Sequence, residues 1–157
     1  MTTGSSGQAP GVYEGLAELD RSACMRLLAG QEVGRVVYTD SALPAVTVVT
    51  YALAGSSIVF RTSATSRTAR LVPGCVVAFE VDDLDAVSRT GWSVVVTGVA
   101  QLVREPAQLA RLDALFLVPW APGDRRLYIR IRPGPVTGRR IVRTLAEGRA
   151  DVDPAGD

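Results

Sequence analysis

The chain of 157 residues contains no histidine, no lysine and no asparagine, and all 17 of its basic residues are arginine. Without histidine there is no Ser-His-Asp triad, no imidazole zinc site and no histidine-ligated haem. Without lysine there is no Schiff base and no P-loop lysine for a nucleotide triphosphate. Any catalysis would therefore depend on an organic cofactor that carries the reactive atom.

Cysteine and long hydrophobic runs are also scarce. Cys24 and Cys75 stand far apart, which excludes a Cys-x-x-Cys pair and favours two buried thiols over a disulfide. No apolar run reaches the roughly 20 residues of a membrane helix, and residues 1–10 lack the features of a secretion signal. The net charge of +1 argues against a general nucleic-acid or membrane binder. We expect a cytoplasmic protein with neither kind of partner.

The hydrophobic content of 47% is enough for one domain with a single core. Residues 1–14 lack periodicity and are expected to be disordered. The folded domain is assigned to residues 15–145, and residues 146–157 are expected to form a flexible acidic tail. The sequence therefore predicts one folded domain, preceded by a disordered segment and followed by a flexible tail.

Short valine-rich segments separated by turn residues dominate the domain. Strands are predicted at residues 34–39, 45–53, 58–62, 75–81, 92–103, 127–131 and 136–142. Helices are predicted at residues 20–29 and 105–116, with a short one opening from the polar loop at 63–71. Gly98 in the longest strand is a candidate bulge that lets a barrel close. The strands do not alternate with crossover helices, so the pattern favours an antiparallel barrel.

The most informative segment for chemistry is Phe60-Arg61-Thr62 with the hydroxyl-rich loop that follows it. Hydroxyl groups, free backbone N–H groups at a helix start and arginine side chains together suit a phosphate. On residue chemistry alone, a solvated loop with a capped helix explains the segment as well. Three nearby acids are interpreted as a solvated turn rather than a metal site: Asp82, Asp83 and Asp85.

This segment resembles the phosphate-binding loop of the pyridoxamine 5′-phosphate oxidase-like flavoproteins, in which Phe-x-Thr precedes a Ser-Lys or Ser-Arg pair. Four further segments match family patterns in the same order, at residues 44–51, 76–83, 91–94 and 136–140. The resemblance implies a mainly β fold: a six- to seven-stranded antiparallel split β-barrel with two or three short helices. It also implies an FMN cofactor held at the interface of a homodimer.

The resemblance assigns three groups of residues to the cofactor. The FMN phosphate and ribityl chain would be held by Arg61, Thr62, Ser66 and Arg67. The isoalloxazine ring would be lined by Val49, Thr50 and Tyr51. The flavin would be approached at its edge or at its phosphate end by Trp92 and Ser93, and across the dimer interface by Arg139 or Arg140.

The sequence departs from the family at several positions. Arg67 stands where most relatives have lysine, Thr50 replaces an asparagine, and Thr47 stands where arginine is common. The arginine and histidine that hold the vitamin phosphate in the true oxidases have no counterpart, which argues against pyridoxamine-phosphate oxidation.

The expected function is an FMN-dependent oxidoreductase acting on a small molecule, with a nicotinamide such as NAD(P)H as one candidate electron donor. Tyr51 is the only residue named as a candidate general acid or base. Two alternatives stay open. One is a non-catalytic flavin-binding protein that acts as a sensor, carrier or store. The other is a barrel without FMN, which serves as an interaction module or binds a deazaflavin or haem instead.

Overall fold

A computed structural model describes residues 12–145, with side chains from residue 15 to residue 143. This part of the chain contains three helices: α1 (Arg21–Ala29), α2 (Arg67–Leu71) and α3 (Pro106–Asp113). It contains seven strands: β1 (Val12–Leu19), β2 (Val33–Asp40), β3 (Leu43–Ala54), β4 (Ser57–Thr62), β5 (Val76–Asp85), β6 (Thr90–Leu102) and β7 (Leu127–Leu145).

The strands form one antiparallel sheet in the order β1-β7-β4-β3-β2-β5-β6, and an additional pairing of β6 with β7 closes a ring. The first part of β7 pairs with β4, where Leu127 lies opposite Thr62. Its last part pairs with β1, where Arg139 lies opposite Glu18. β4 and β1 therefore pair with different ends of β7 and not with each other, which leaves the barrel split at this point. This arrangement confirms the predicted mainly β split barrel with short helices.

The barrel core is built from alternate residues of the strands, which is the period-2 pattern of a sheet with one buried face. Phe60 and Phe79 are its largest fully buried side chains. α1 contributes Cys24 and Leu28, which are also fully buried. Asp20 caps α1, because its Oδ1 accepts a hydrogen bond from the Ala23 N–H at 2.7 Å.

A second, smaller cluster of buried residues lies on the outer face of the barrel, beside α3. It consists of Val59, Val103, Leu112, Leu117 and Tyr128. Leu112 belongs to α3, while Leu117 belongs to the loop that follows it. The cluster thereby fixes the 114–126 loop against the outside of β4 and β7.

The bulge expected at Gly98 is confirmed, because the register between β6 and β7 shifts between Val96 and Gly98. Beyond the shift, Gly98 pairs with Pro133. Two separate strands were predicted at 127–131 and 136–142, and this was wrong, since β7 is continuous. A proline cannot donate a ladder hydrogen bond, and here the local irregularity lets the strand continue past one.

Other differences from the sequence prediction lie at element ends. β1 was not predicted, and its start at Val12 takes residues 12–14 out of the predicted disordered segment. The remainder of that segment, and the predicted tail at 146–157, lie outside the described residues. β5 runs on through Asp85 rather than turning at residue 82. Cys75 is exposed, so only Cys24 fits the prediction of buried thiols.

α3 ends at Asp113, three residues earlier than predicted. Phe116 has φ +50, which no helical residue adopts, and its side chain is exposed. Within residues 12–145, no helix is long and apolar enough to cross a membrane.

Candidate functional site

The outer surface of β3 carries the centre of the site. Along this strand Val46 and Val48 face outward and are 59% and 64% exposed. Thr50 also lies on this side, because its Oγ1 accepts a hydrogen bond from the Trp120 N–H at 3.2 Å. Val49 and Tyr51 pack into the barrel core instead. The predicted ring-lining role therefore fits the side chain of Thr50, while Val49 and Tyr51 offer mainly backbone.

Tyr51 is held inside the barrel by its hydroxyl. The hydroxyl donates to the Leu28 carbonyl at 2.5 Å, and the ring meets Phe79 edge-on at 4.9 Å between centroids. Burial raises the pKa of Tyr51 well above its usual range. A hydroxyl that stays protonated and is committed to a carbonyl is a poor proton donor. These observations argue against the suggestion that Tyr51 acts as a general acid or base.

Arg61 anchors the 114–126 loop. Its Nε donates to the Arg125 carbonyl at 2.8 Å, and its Nη1 donates to the Leu117 carbonyl at 3.2 Å. The guanidinium lies over the Tyr128 ring, 5.4 Å from the centroid. No carboxylate of the described residues forms an ion pair with Arg61, so its positive charge is not neutralised by the protein.

Between β3 and this loop lies an outer cleft of about 240 Å³. The outer cleft is bordered by Val48, Thr50, Arg61, Trp120 and Arg125, among others. Among the described residues, the Arg125 side chain donates to one acceptor, the Ala121 carbonyl at 3.2 Å. Two guanidinium groups that form no ion pair with a described carboxylate thus meet an apolar strand face and an indole. Such a cleft suits a flat ligand that carries negative charge or electron-rich oxygens.

Three hydroxyl groups meet where β4 ends and α2 begins. Thr62 Oγ1 lies 2.6 Å from Ser66 Oγ and 2.9 Å from Thr68 Oγ1, and the last two are 3.0 Å apart. Ser66 also caps α2, since its Oγ accepts from the Ala69 N–H at 3.0 Å. Thr62 and Thr68 are buried, so of these three groups only Ser66 is partly accessible. Thr62 therefore supports the loop rather than presenting its hydroxyl to a ligand.

Arg67 is the accessible cation of this region. It forms an ion pair with Asp40 at 2.7 Å, and its side chain is 70% exposed. Asp40 pairs with Leu43 at the start of β3. Arg61 and Arg67 are therefore placed near opposite ends of the outer edge of β3, and the outward valines lie between them.

The remaining predicted residues lie elsewhere. Ser93 and Arg139 are opposite each other across β6 and β7, beside a cleft of about 290 Å³. Along β7, the distance from Leu127, the partner of Thr62, to Arg139 is roughly 40 Å at about 3.3 Å per residue. One chain therefore does not bring this pair together with Arg61.

Trp92 and Arg140 form the neighbouring cross-strand pair. Trp92 is only 9% exposed and belongs to the main core, so one chain offers little of its side chain to a ligand, and its role there stays a prediction. Arg140 is exposed. A role for Ser93, Arg139 or Arg140 beside a ligand stays a prediction.

Sequence reasoning missed three contributors to this region: Trp120, Arg125 and Thr68. Trp120 is 72% exposed, in the 114–126 loop, for which no binding residue was predicted. A tryptophan between two prolines of a loop is a usable signal, since an exposed indole is uncommon away from binding surfaces. Nothing local marks Arg125, because its position depends on the fold of the whole loop.

Comparison with known proteins gives consistent matches. The family model described as pyridoxamine 5′-phosphate oxidase matches residues 20–140. The uncharacterized protein Rv0080 of Mycobacterium tuberculosis is 44% identical over 147 residues, which cover 90% of this chain and 96% of that protein.

Two solved structures are similar in sequence and fold. A conserved protein of unknown function from Corynebacterium diphtheriae is 32% identical with a TM-score of 0.69, covering 81% of this chain and 98% of that one. An FAD-binding protein from Mycobacterium smegmatis is 27% identical with a TM-score of 0.64, covering 80% and 98%. The matched regions thus cover nearly the whole length of both solved chains and about four fifths of this chain.

Proposed function

The chain belongs to the pyridoxamine 5′-phosphate oxidase-like family, and we propose that it is an FMN-dependent oxidoreductase that acts on a small molecule. The observation that carries this proposal is the outer cleft, where Arg61 and Arg125, beside Thr50 and Trp120, form no ion pair with a carboxylate of residues 15–143. The structural relative described as FAD-binding supports a flavin as the ligand.

In this proposal each accessible residue has a binding role. Ser66 and Arg67 hold the phosphate, Arg61 lies beside the ribityl chain, and Thr50 meets the ring together with the neighbouring backbone of β3. A bound flavin supplies hydride transfer. The chain's own residues bind it, orient it and exclude water with Trp120. Oxidation of pyridoxamine phosphate is not proposed, because the chain has no histidine to hold that substrate.

FAD is the second candidate cofactor, because the Mycobacterium smegmatis relative carries that description. Both flavins share the ring and the first phosphate, so the same cleft would serve either. The difference lies in the adenylate, which would extend past Arg67 into solvent. A direct comparison of the two flavins therefore decides between them.

We expect purified protein to retain one flavin for each chain after incubation with excess FMN and removal of the unbound part. An absorbance spectrum measures this, and a parallel incubation with FAD measures the preference. Bleaching of the bound flavin by a nicotinamide, followed by turnover with an acceptor, would separate an enzyme from a carrier or store. A protein that takes up neither flavin would contradict the proposal.

The proposal includes a homodimer, which the outer surface of the barrel supports. Large apolar side chains are exposed on strands β3, β5 and β6. In the ring, β2 lies between β3 and β5, and β6 follows β5. This outer strip comprises Val46, Val48, Val76 and Val99, which are 41–67% exposed. The strip is interrupted on β2 by the exposed Arg35, which lies opposite Val48 and forms an ion pair with Glu80 of β5. Exposed apolar groups bordered by polar residues in this way are typical of a protein interface. A two-fold dimer could bring Arg139 of the partner subunit to the outer cleft, which one chain cannot do.

Val46→Asp is expected to weaken dimerisation by at least about tenfold, because it places a carboxylate in the outer strip opposite Val37, outside the residues that border the outer cleft. Flavin retention should fall with it, since the site would lose the partner's contribution. Light scattering after gel filtration measures the mass, and absorbance measures the flavin. Val87→Asp is the matched control, because Val87 is 94% exposed in the turn between β5 and β6. A Val46→Asp protein that stays dimeric would exclude this strip as the interface.

A further inference from the structure

The segment that follows α3 exposes an unusual number of large apolar side chains. Phe116 is 86% exposed, and Val118 and Trp120 are each 72% exposed. Leu117 points the other way, into the second, smaller cluster of buried residues beside α3. Exposed apolar residues scattered singly need no explanation, whereas three within five residues indicate a binding surface.

Phe116 also has an uncommon backbone conformation. Its φ of +50 lies in the left-handed region, which bulky side chains rarely adopt. Such a conformation persists only where the surroundings fix it, and it recurs at ligand-binding sites. Here Arg61 ties the loop down at Leu117. The aromatic side chain of Phe116 is thereby held outward at a fixed place.

These side chains form one wall of a second, larger cleft. This loop cleft has a volume of about 640 Å³, which is within the usual range for small-molecule sites. Its other walls are the end of α1 and residues 50–53 of β3. The residues that characterise it are Leu28, Gln31, Glu32, Phe116 and Trp120. Three separate elements thus enclose one concave surface.

The residues that line the loop cleft determine which kind of ligand it can bind. None of the residues that line the loop cleft is an arginine, and its one charged residue is Glu32, which is exposed. The polar groups of its floor are already satisfied, because the Tyr51 N–H donates to the Glu32 carbonyl at 2.8 Å and the Tyr51 hydroxyl donates to Leu28. Anions are therefore disfavoured, and a neutral flat molecule can stack on the aromatic rings.

The two clefts share a boundary. Thr50 and Trp120 line both the outer cleft and the loop cleft, and they are joined by the hydrogen bond from the Trp120 N–H. A ligand in either cleft would therefore contact the same indole from a different side. The cationic outer cleft and the arginine-free loop cleft are suited to ligands of opposite character.

We propose that the loop cleft binds a neutral aromatic molecule, and that this is the class of substrate on which the protein acts. The assignment as substrate rests on the proposed flavin in the outer cleft. The binding itself does not, because the loop cleft is complete without a cofactor. A small molecule is favoured over a second copy of the chain because the surface is concave and has a negatively charged rim.

The test uses flavin-free protein and two probes with the same ring system, 2-naphthalenemethanol and the anion 2-naphthoate. Ligand-observed NMR titration gives both affinities. The neutral probe should bind at least about tenfold more tightly than the anion. Phe116→Ala should weaken the neutral probe about five- to tenfold, because it removes one stacking wall. Val87→Ala, at an equally exposed valine far from the cleft, should leave binding unchanged.

The possible outcomes of this test separate the proposed ligand from its alternatives. Equal affinity for the two probes, or a Phe116→Ala variant that binds like the parent, would overturn the proposal. A Phe116→Ala variant that loses dimer mass while the parent binds no probe would assign the surface to a second copy of the chain. Binding of the neutral probe by a protein that retains no flavin would support the loop cleft and contradict the proposed function instead.

Discussion

Arg67→Ala is expected to weaken FMN binding by roughly 10- to 100-fold, which is about 1.5–3 kcal/mol, the range of a hydrogen bond to a charged group. The guanidinium is the accessible cation beside Ser66, and its present partner is the single carboxylate of Asp40 at 2.7 Å. An exposed ion pair of this kind contributes at most about 1 kcal/mol to folding. The loss should therefore appear in flavin affinity with little change in thermal stability.

Flavin titration by absorbance or fluorescence measures the effect. Arg126→Ala is a matched control, because Arg126 is also an exposed arginine with one aspartate partner, Asp124 at 2.9 Å. That variant should bind FMN as the parent does. If Arg67→Ala also binds like the parent, the phosphate does not lie at the start of α2, and the placement of the cofactor would have to change.

Gly98→Ala is expected to cost roughly 3 kcal/mol of folding free energy, the upper part of the range for overpacking. A Cβ atom at Gly98 would lie 2.1 Å from the Arg132 carbonyl oxygen and 2.9 Å from its carbonyl carbon. These are backbone atoms of the neighbouring strand, so no rotamer change can relieve the clash. The substitution would have to separate β6 from β7 at the bulge.

Urea denaturation followed by circular dichroism measures the loss. Gly30→Ala is the control, because a Cβ there would meet its nearest neighbour, the Leu27 carbonyl oxygen, at an ordinary 3.5 Å. That variant should stay within about 0.5 kcal/mol of the parent. A Gly98→Ala protein as stable as the parent would mean that the two strands do not approach so closely in solution.

Much of the fold could be predicted because its signals are local. Asp20 and Ser66 both cap helices as their chemistry indicates, and Gly98 lies at the expected bulge. β1 could not be predicted in this way. Its residues lack apolar alternation, and its pairing with the end of β7 is a contact across most of the chain. Local propensity carries no information about such a partner.

The candidate site likewise combines features that the sequence predicts with features that depend on the fold. The segment that contains Arg61, Ser66 and Arg67 is visible in the sequence. The directions of its side chains are not, because they depend on which strand face is buried. Tyr51 faces the core, and Arg61 binds loop carbonyls, only because of how β3 and the 114–126 loop pack. Sequence could therefore locate the segment but not separate binding residues from supporting ones.

The three partners of β7 have a consequence for biosynthesis. β7 pairs with β1, β4 and β6, and it is the last strand of the described chain to leave the ribosome. Until then β4 and β6 keep one edge each without a neighbour, and exposed edges of this kind invite pairing with other chains. Barrel closure therefore has to wait for the synthesis of β7, and pairings of such large sequence separation form slowly, so the stage with two unpaired edges is expected to be the most prone to aggregation.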